Sequence, residues 1–108
     1  VLRFPYKTNE LNTAVLAGTT KLETVTGAAI GGDGKELLLR TYTGIFYWKR
    51  NNGESAEVAL QREAVSIPPA LEPQGEAIAF KTDLKGFYTL SENGGLPLTL
   101  RLNYYARN

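Results

Sequence analysis

The chain is a succession of short, β-prone apolar runs broken at close intervals by Gly, Asn and Pro, and two of those runs show no polar alternation. Residues 36–43 carry Leu37-Leu38-Leu39, and residues 45–49 carry Ile45-Phe46-Tyr47-Trp48. A strand with one wet face alternates, whereas a strand covered on both faces need not. The turns between the runs are of hairpin type, Gly31-Gly32-Asp33-Gly34 above all, because those residues tolerate positive φ. Antiparallel hairpins covered on both faces by other sheets are the material of β-propeller blades. The predicted fold is therefore all-β, made of antiparallel four-stranded β-propeller blades.

Strands are predicted over 2–6, 13–17, 23–30, 36–43, 45–49, 65–68, 76–81, 86–92 and 96–105, with Asn93-Gly94-Gly95 as a tight hairpin between the last two. Ser55 is a natural N-cap, and 55–62 reads as a short helix within a loop. Internal similarity supports a repeat. Gly27-Ala28-Ala29-Ile30 returns as Gly75-Glu76-Ala77-Ile78, an offset of 48, while Asp33-Gly34-Lys35 returns as Asp83-Leu84-Lys85 at an offset of 50. This reading makes the second turn two residues longer. A period near 40–50 residues belongs to propellers. The expected organisation is outer strands of one blade over 1–22, a full blade over 23–70, and a last, incomplete blade over 71–108.

These amount to roughly two and a quarter blades, too few for a ring of 4 to 8. Open ends would leave apolar faces and strand edges bare, so the chain is expected to need the remaining blades of a longer polypeptide, or copies of itself. A start at Val1 without Met agrees with a chain cut from something longer. A free-standing nine-stranded β-sandwich that binds a partner is the alternative.

Charge and composition narrow the function classes. With 12 Lys plus Arg against 11 Asp plus Glu in 108 residues, no nucleic-acid partner is expected. No apolar run is long enough for a membrane span. The absence of Cys and His removes thiol and imidazole catalysis, disulfides and Cys/His zinc sites.

Val25-Thr26-Gly27-Ala28, Asp33-Gly34-Lys35, Leu39-Arg40-Thr41-Tyr42 and Glu72-Pro73-Gln74-Gly75-Glu76-Ala77-Ile78-Ala79 resemble the C-terminal blades of secreted bacterial β-propellers of the esterase-like or phytase-like group. The likeness extends over nearly the whole chain. It implies an exported, secreted or periplasmic protein, and a non-catalytic scaffold or binding module as the leading function. A divalent-cation-dependent phosphoesterase or esterase, its site shared with blades outside this chain, is the second reading.

The candidate chemistry gathers at one end of the predicted blades. Glu76 opens one strand and Glu92 closes its partner, with Glu72 and Gln74 on the approach and Arg40 and Tyr42 at the equivalent end of the preceding blade. Three readings stand side by side. Arg40 and Tyr42 form structural ion pairs or hydrogen bonds with a Glu across the blade interface, as buried charges normally do. Glu72, Gln74, Glu76 and Glu92 contact a ligand or cation, with calcium through Glu76 and Glu92 the candidate, since calcium takes six to eight oxygens. Paired carboxylates act as acid and base. No nucleophile-plus-base set is visible, and Ser91 beside Glu92 is too weak a pair to name one. The aromatic residues Phe46, Tyr47, Trp48, Phe87 and Tyr88 read as core, and Arg107 as a solvated strand end.

Overall fold

The computed structural model describes residues 5–107. It is all-β, with two antiparallel sheets and no closed ring. The first sheet is a four-stranded meander, β1 (Val25–Ile30), β2 (Glu36–Thr41), β3 (Ile45–Lys49) and β4 (Val65–Ile67), in sequence order. A one-turn helix, α1 (Ala56–Ala59), interrupts the step from β3 to β4. Ser55 caps it, its side chain accepting from the Val58 N–H at 3.4 Å. The second sheet is a three-stranded meander, β5 (Gln74–Phe80), β6 (Gly86–Glu92) and β7 (Asn103–Ala106).

The two leading hairpins are copies of one another. Ile30 and Phe80 each lead into a five-residue turn, 31–35 and 81–85, closed by the same bonds. Gly31 N–H donates to Glu36 O at 2.8 Å and Lys81 N–H to Gly86 O at 2.9 Å. Asp33 accepts from the Lys35 N–H at 2.9 Å and Asp83 from the Lys85 N–H at 3.0 Å. The fourth turn residue is left-handed in both, Gly34 at φ 70° and Leu84 at φ 56°. Cross-strand pairs also match, Val25↔Thr41 with Gly75↔Ser91 and Ile30↔Leu37 with Phe80↔Phe87. The structural offset is thus 50 throughout and the turns are of equal length, which corrects the 48-then-50 alignment. Matching the two Gly-x-Ala-Ile strings slid β5 by two residues, a slip that period-2 patterning cannot detect.

Alternation assigns the faces. On the first sheet Gly27, Ala29, Leu38, Arg40, Ile45 and Tyr47 point one way. They meet the face of the second sheet that carries Ile78, Phe80, Phe87, Thr89 and Tyr105. Leu38 and Ile45 are fully buried there with Ile78 and Phe87, and each such aliphatic side chain contributes about 1.5–3 kcal/mol. The backbones come close along β1, β2 and β5. Farther out, toward β4 and β7, the large side chains of Tyr47, Ile67, Phe87 and Tyr105 hold the gap. The opposite face of the first sheet, Leu37, Leu39, Phe46 and Trp48, is covered by Leu22 and by Ala56, Ala59, Leu60 and Ala64 in and after α1. Trp48 Nε1 donates to Arg62 O at 3.0 Å, so its burial leaves no stranded donor. The opposite face of the second sheet has no such cover: Leu90 and Tyr104 are 39% and 47% exposed.

Two strand expectations fail. Residues 13–17 form no strand; the segment runs beside α1, where Gln61 Nε2 donates to Thr19 O at 3.0 Å, and Val15 and Leu16 are exposed. β-prone composition without an adjacent sheet edge is not enough. The 96–105 strand shrinks to Asn103–Ala106 because turns at 93–98 and Pro97, which lacks an N–H, keep the start of that segment off the ladder. Residues 93–102 therefore form a long connection instead of a tight hairpin. The 2–6 strand falls outside the described residues except for Pro5 and Tyr6, which are not in a strand. No described helix is long and apolar enough to cross a membrane.

Candidate functional site

Both β1 and β5 carry a bulge at the end where the sheets are closest, leaving Thr26 and Glu76 without a direct cross-strand partner. Glycine makes the approach feasible. A Cβ on Gly27 would lie 2.2 Å from Glu76 O, and one on Gly75 would lie 1.7 Å from Arg40 Nη2. Into this gap β2 delivers Arg40, whose side chain is wholly buried. Its Nη2 donates to Glu72 Oε2 at 2.5 Å and its Nη1 to Ala77 O at 3.2 Å. Glu72 Oε1 accepts from Thr89 Oγ1 and from Asn103 Nδ2, both at 2.6 Å. Thr26 Oγ1 donates to Gly75 O at 2.7 Å beside them. Burial by itself pushes the Glu72 carboxyl up. The donors Thr89, Arg40 and Asn103, with the Arg40 charge, outweigh it and hold the group below the usual carboxylate range.

The other predicted residues lie at the same end but nearer solvent. Tyr42 Oη donates to Glu76 Oε1 at 3.1 Å. That bond, together with the charges of Glu76 and Glu92 nearby, raises the Tyr42 phenol above its ordinary value. Gln74 sits opposite Glu92 in the ladder; its N–H donates to Ser91 Oγ at 2.9 Å, and its side chain packs under Gly94. Five of the six fall into two sets: Arg40 and Glu72 form a buried ion pair that ties the sheets together, while exposed Tyr42 and Glu92 and half-buried Glu76 lie nearer solvent; Gln74 stays in the ladder opposite Glu92.

Both Glu72 oxygens are taken up by protein donors, and among the described residues no three acidic side chains converge as a metal site would need. Ser91 Oγ accepts from Gln74 and donates to Glu92 O at 2.7 Å, which leaves it without a base.

A second polar cluster went unread in the sequence. Glu36 opens β2 on the same face as Leu38 and Arg40 and is only 3% exposed. Its Oε1 accepts from Tyr47 Oη at 2.7 Å and pairs with Arg107 Nη1 at 2.6 Å. Its Oε2 is buried and meets no donor within the protein. Burial, followed by the bond to Glu36, pushes the Tyr47 phenol up to about 12. Arg107 is thus an ion-pair partner and not a merely solvated strand end. The readable signal was an acidic residue heading an otherwise apolar, doubly covered run. Glu36 and Arg107 border a cavity of about 460 Å³ in the gap between the outer strands. No family model, curated protein or solved structure matches the chain.

Proposed function

We propose that this chain is a non-catalytic scaffold or binding module: two neighbouring β-propeller blades whose role is to stack with further sheets. The observation that carries the reading is the 50-residue equivalence combined with the sense of packing. By that equivalence, the uncovered face of the second sheet (Ala77, Ala79, Tyr88, Leu90) corresponds to Gly27, Ala29, Leu38 and Arg40. Those four lie on the face of the first sheet against which the second packs. The sheets therefore stack head to tail, and the second presents to solvent the kind of surface that the first keeps covered. Repeats of this type bury a continuous core only when neighbours continue the stack. Close approach at β1 and β5, with bulky residues toward β4 and β7, suits radial wedges around an axis. The third sheet comes from further polypeptide or from a second copy. The likeness to secreted propellers supports export.

Light scattering on the purified chain, with an apolar dye as a second reading, tests this. Particles heavier than 11.8 kDa, or dye bound to the monomer, are expected. Leu90→Lys should remove either signal without lowering the melting temperature. A monodisperse monomer that binds no dye refutes the proposal.

A further inference from the structure

Given the stacking role proposed above, on which this depends, we infer that the neighbour of the second sheet is the same sheet of a second copy. The two are turned end for end about a two-fold axis, with Lys81 of each subunit against Glu92 of the partner subunit.

Alternation turns Tyr88, Leu90 and Glu92 of β6 to the uncovered face, with Ala77 and Ala79 of β5 and Tyr104 of β7. The centre of this face is apolar and its two ends differ in charge. At the 81–85 turn stand Lys81 and Lys85; Asp83 pairs with Lys81 but takes only one of the three ammonium donors. Lys81 follows Ala79 by two residues and is coupled electrostatically to Tyr88 and Tyr104, which places it at the margin of this face. At the other end stand Glu92, exposed and opposite Gln74, and Glu76 with its bond to Tyr42. Arg101, near that end, borders the groove beside Glu72 and Ser91.

This pattern selects the occupant. A two-fold axis along the strands sets lysine against lysine and glutamate against glutamate, which repel. An axis across the strands sets Lys81 against Glu92 twice, once at each end. It also lays β5 on β5 and β6 on β6, so small Ala77 and Ala79 meet their own kind while bulky Tyr88, Leu90 and Tyr104 meet farther out. The spacing of the first two sheets, close along one edge and wide along the other, is thus repeated. Head-to-tail stacking of copies meets an obstacle, because Leu22, Ala56, Ala59, Leu60 and Ala64 cover the face of the first sheet that would receive the second.

Carbodiimide coupling, which joins an amine to a carboxylate in contact, tests this on the 108-residue chain. Lys81 stands beside Gly86, and at about 3.3 Å per residue the run Gly86–Glu92 spans about 20 Å. A peptide joining Lys81 to Glu92 therefore comes from two copies. Sedimentation should show a dimer that carries this cross-link. Lys81→Glu and Glu92→Lys should each weaken the dimer about tenfold. The two variants mixed should pair nearly as tightly as the parent, since opposite charges then meet at both contacts. A dimer or larger particle without the Lys81–Glu92 cross-link overturns the inference. So does a monomer that binds an apolar dye, which leaves the stacking role standing with another neighbour, whereas a monomer that binds no dye removes both. These outcomes are read on the parent chain, whether or not a variant folds.

Discussion

Replacing Glu72 by Gln removes a charge while keeping the shape of the side chain, and so isolates what the ion pair does. Arg40 would then be a fully buried guanidinium facing a neutral amide, with Ala77 O at 3.2 Å as its remaining acceptor. Breaking one side of a buried pair costs about 3–5 kcal/mol. Small domains have only about 5–15 kcal/mol in all. At about 4–8 °C per kcal/mol, the melting temperature should fall by about 12–40 °C. Arg40→Met in the same background removes the stranded charge, while the amide oxygen introduced by Glu72→Gln can still accept from Thr89 and Asn103. The double variant should therefore regain most of the loss, since replacing both members of a buried pair is often nearly neutral. Urea denaturation of the parent, both single variants and the double variant gives the coupling directly. The pH dependence has a definite sign. Glu72 ionises more readily in the folded chain than at its ordinary 4.5, so its contribution is complete above about pH 4.5 and disappears as the pH falls through the lower folded value. Glu72→Gln should flatten that acid limb. A single variant within 1 kcal/mol of the parent, or a double variant worse than the single, would falsify the account of Arg40 as a charge dependent on Glu72.

Gly75→Ala should be among the most damaging small substitutions, because its Cβ would fall on the Arg40 guanidinium, whereas Gly32→Ala, with nothing within 4 Å, should change stability by less than about 0.5 kcal/mol; thermal melts compare them. Leu84 adopts φ 56° while its side chain lines the cavity. Leu84→Gly should be close to neutral in urea titrations, as relief of about 1–2 kcal/mol of strain offsets lost burial, while branched Val should cost more. In absorbance titrations, Tyr47 should be the late phenol, near pH 12, and Tyr47→Phe should abolish that step. Because its folded value is raised, the Tyr47 contribution is intact below pH 10 and fades as pH climbs toward 12.

The local grammar of the chain was plain to read. Unalternated apolar runs marked β2 and β3, Gly34 marked its turn, and Ser55 marked the helix start, because each depends on neighbours in sequence. The end where Arg40, Tyr42, Glu72 and Glu76 gather was also legible, since antiparallel pairing fixes which residues share an end. What escaped depended on the third dimension. Nothing local says whether 13–17 finds a sheet edge, or that β5 begins at Gln74 with a bulge at Glu76. Glu36 was passed over because its partners lie far off in sequence, Tyr47 on β3 and Arg107 just after β7 of the other sheet. Burial of a carboxylate is a tertiary outcome that propensity does not announce.

The short helix after β3 has a consequence for assembly. By sealing one flank of the stack, α1 and its neighbours make the molecule polar, with a finished side and an unfinished one. Two copies that meet through their unfinished sides form a symmetric pair, which exhausts both of those surfaces at once. Unlimited filaments, the ordinary hazard of stacked β-sheets, are thereby denied a route through this face: a few residues of helix act as a chain terminator for the growth of the array.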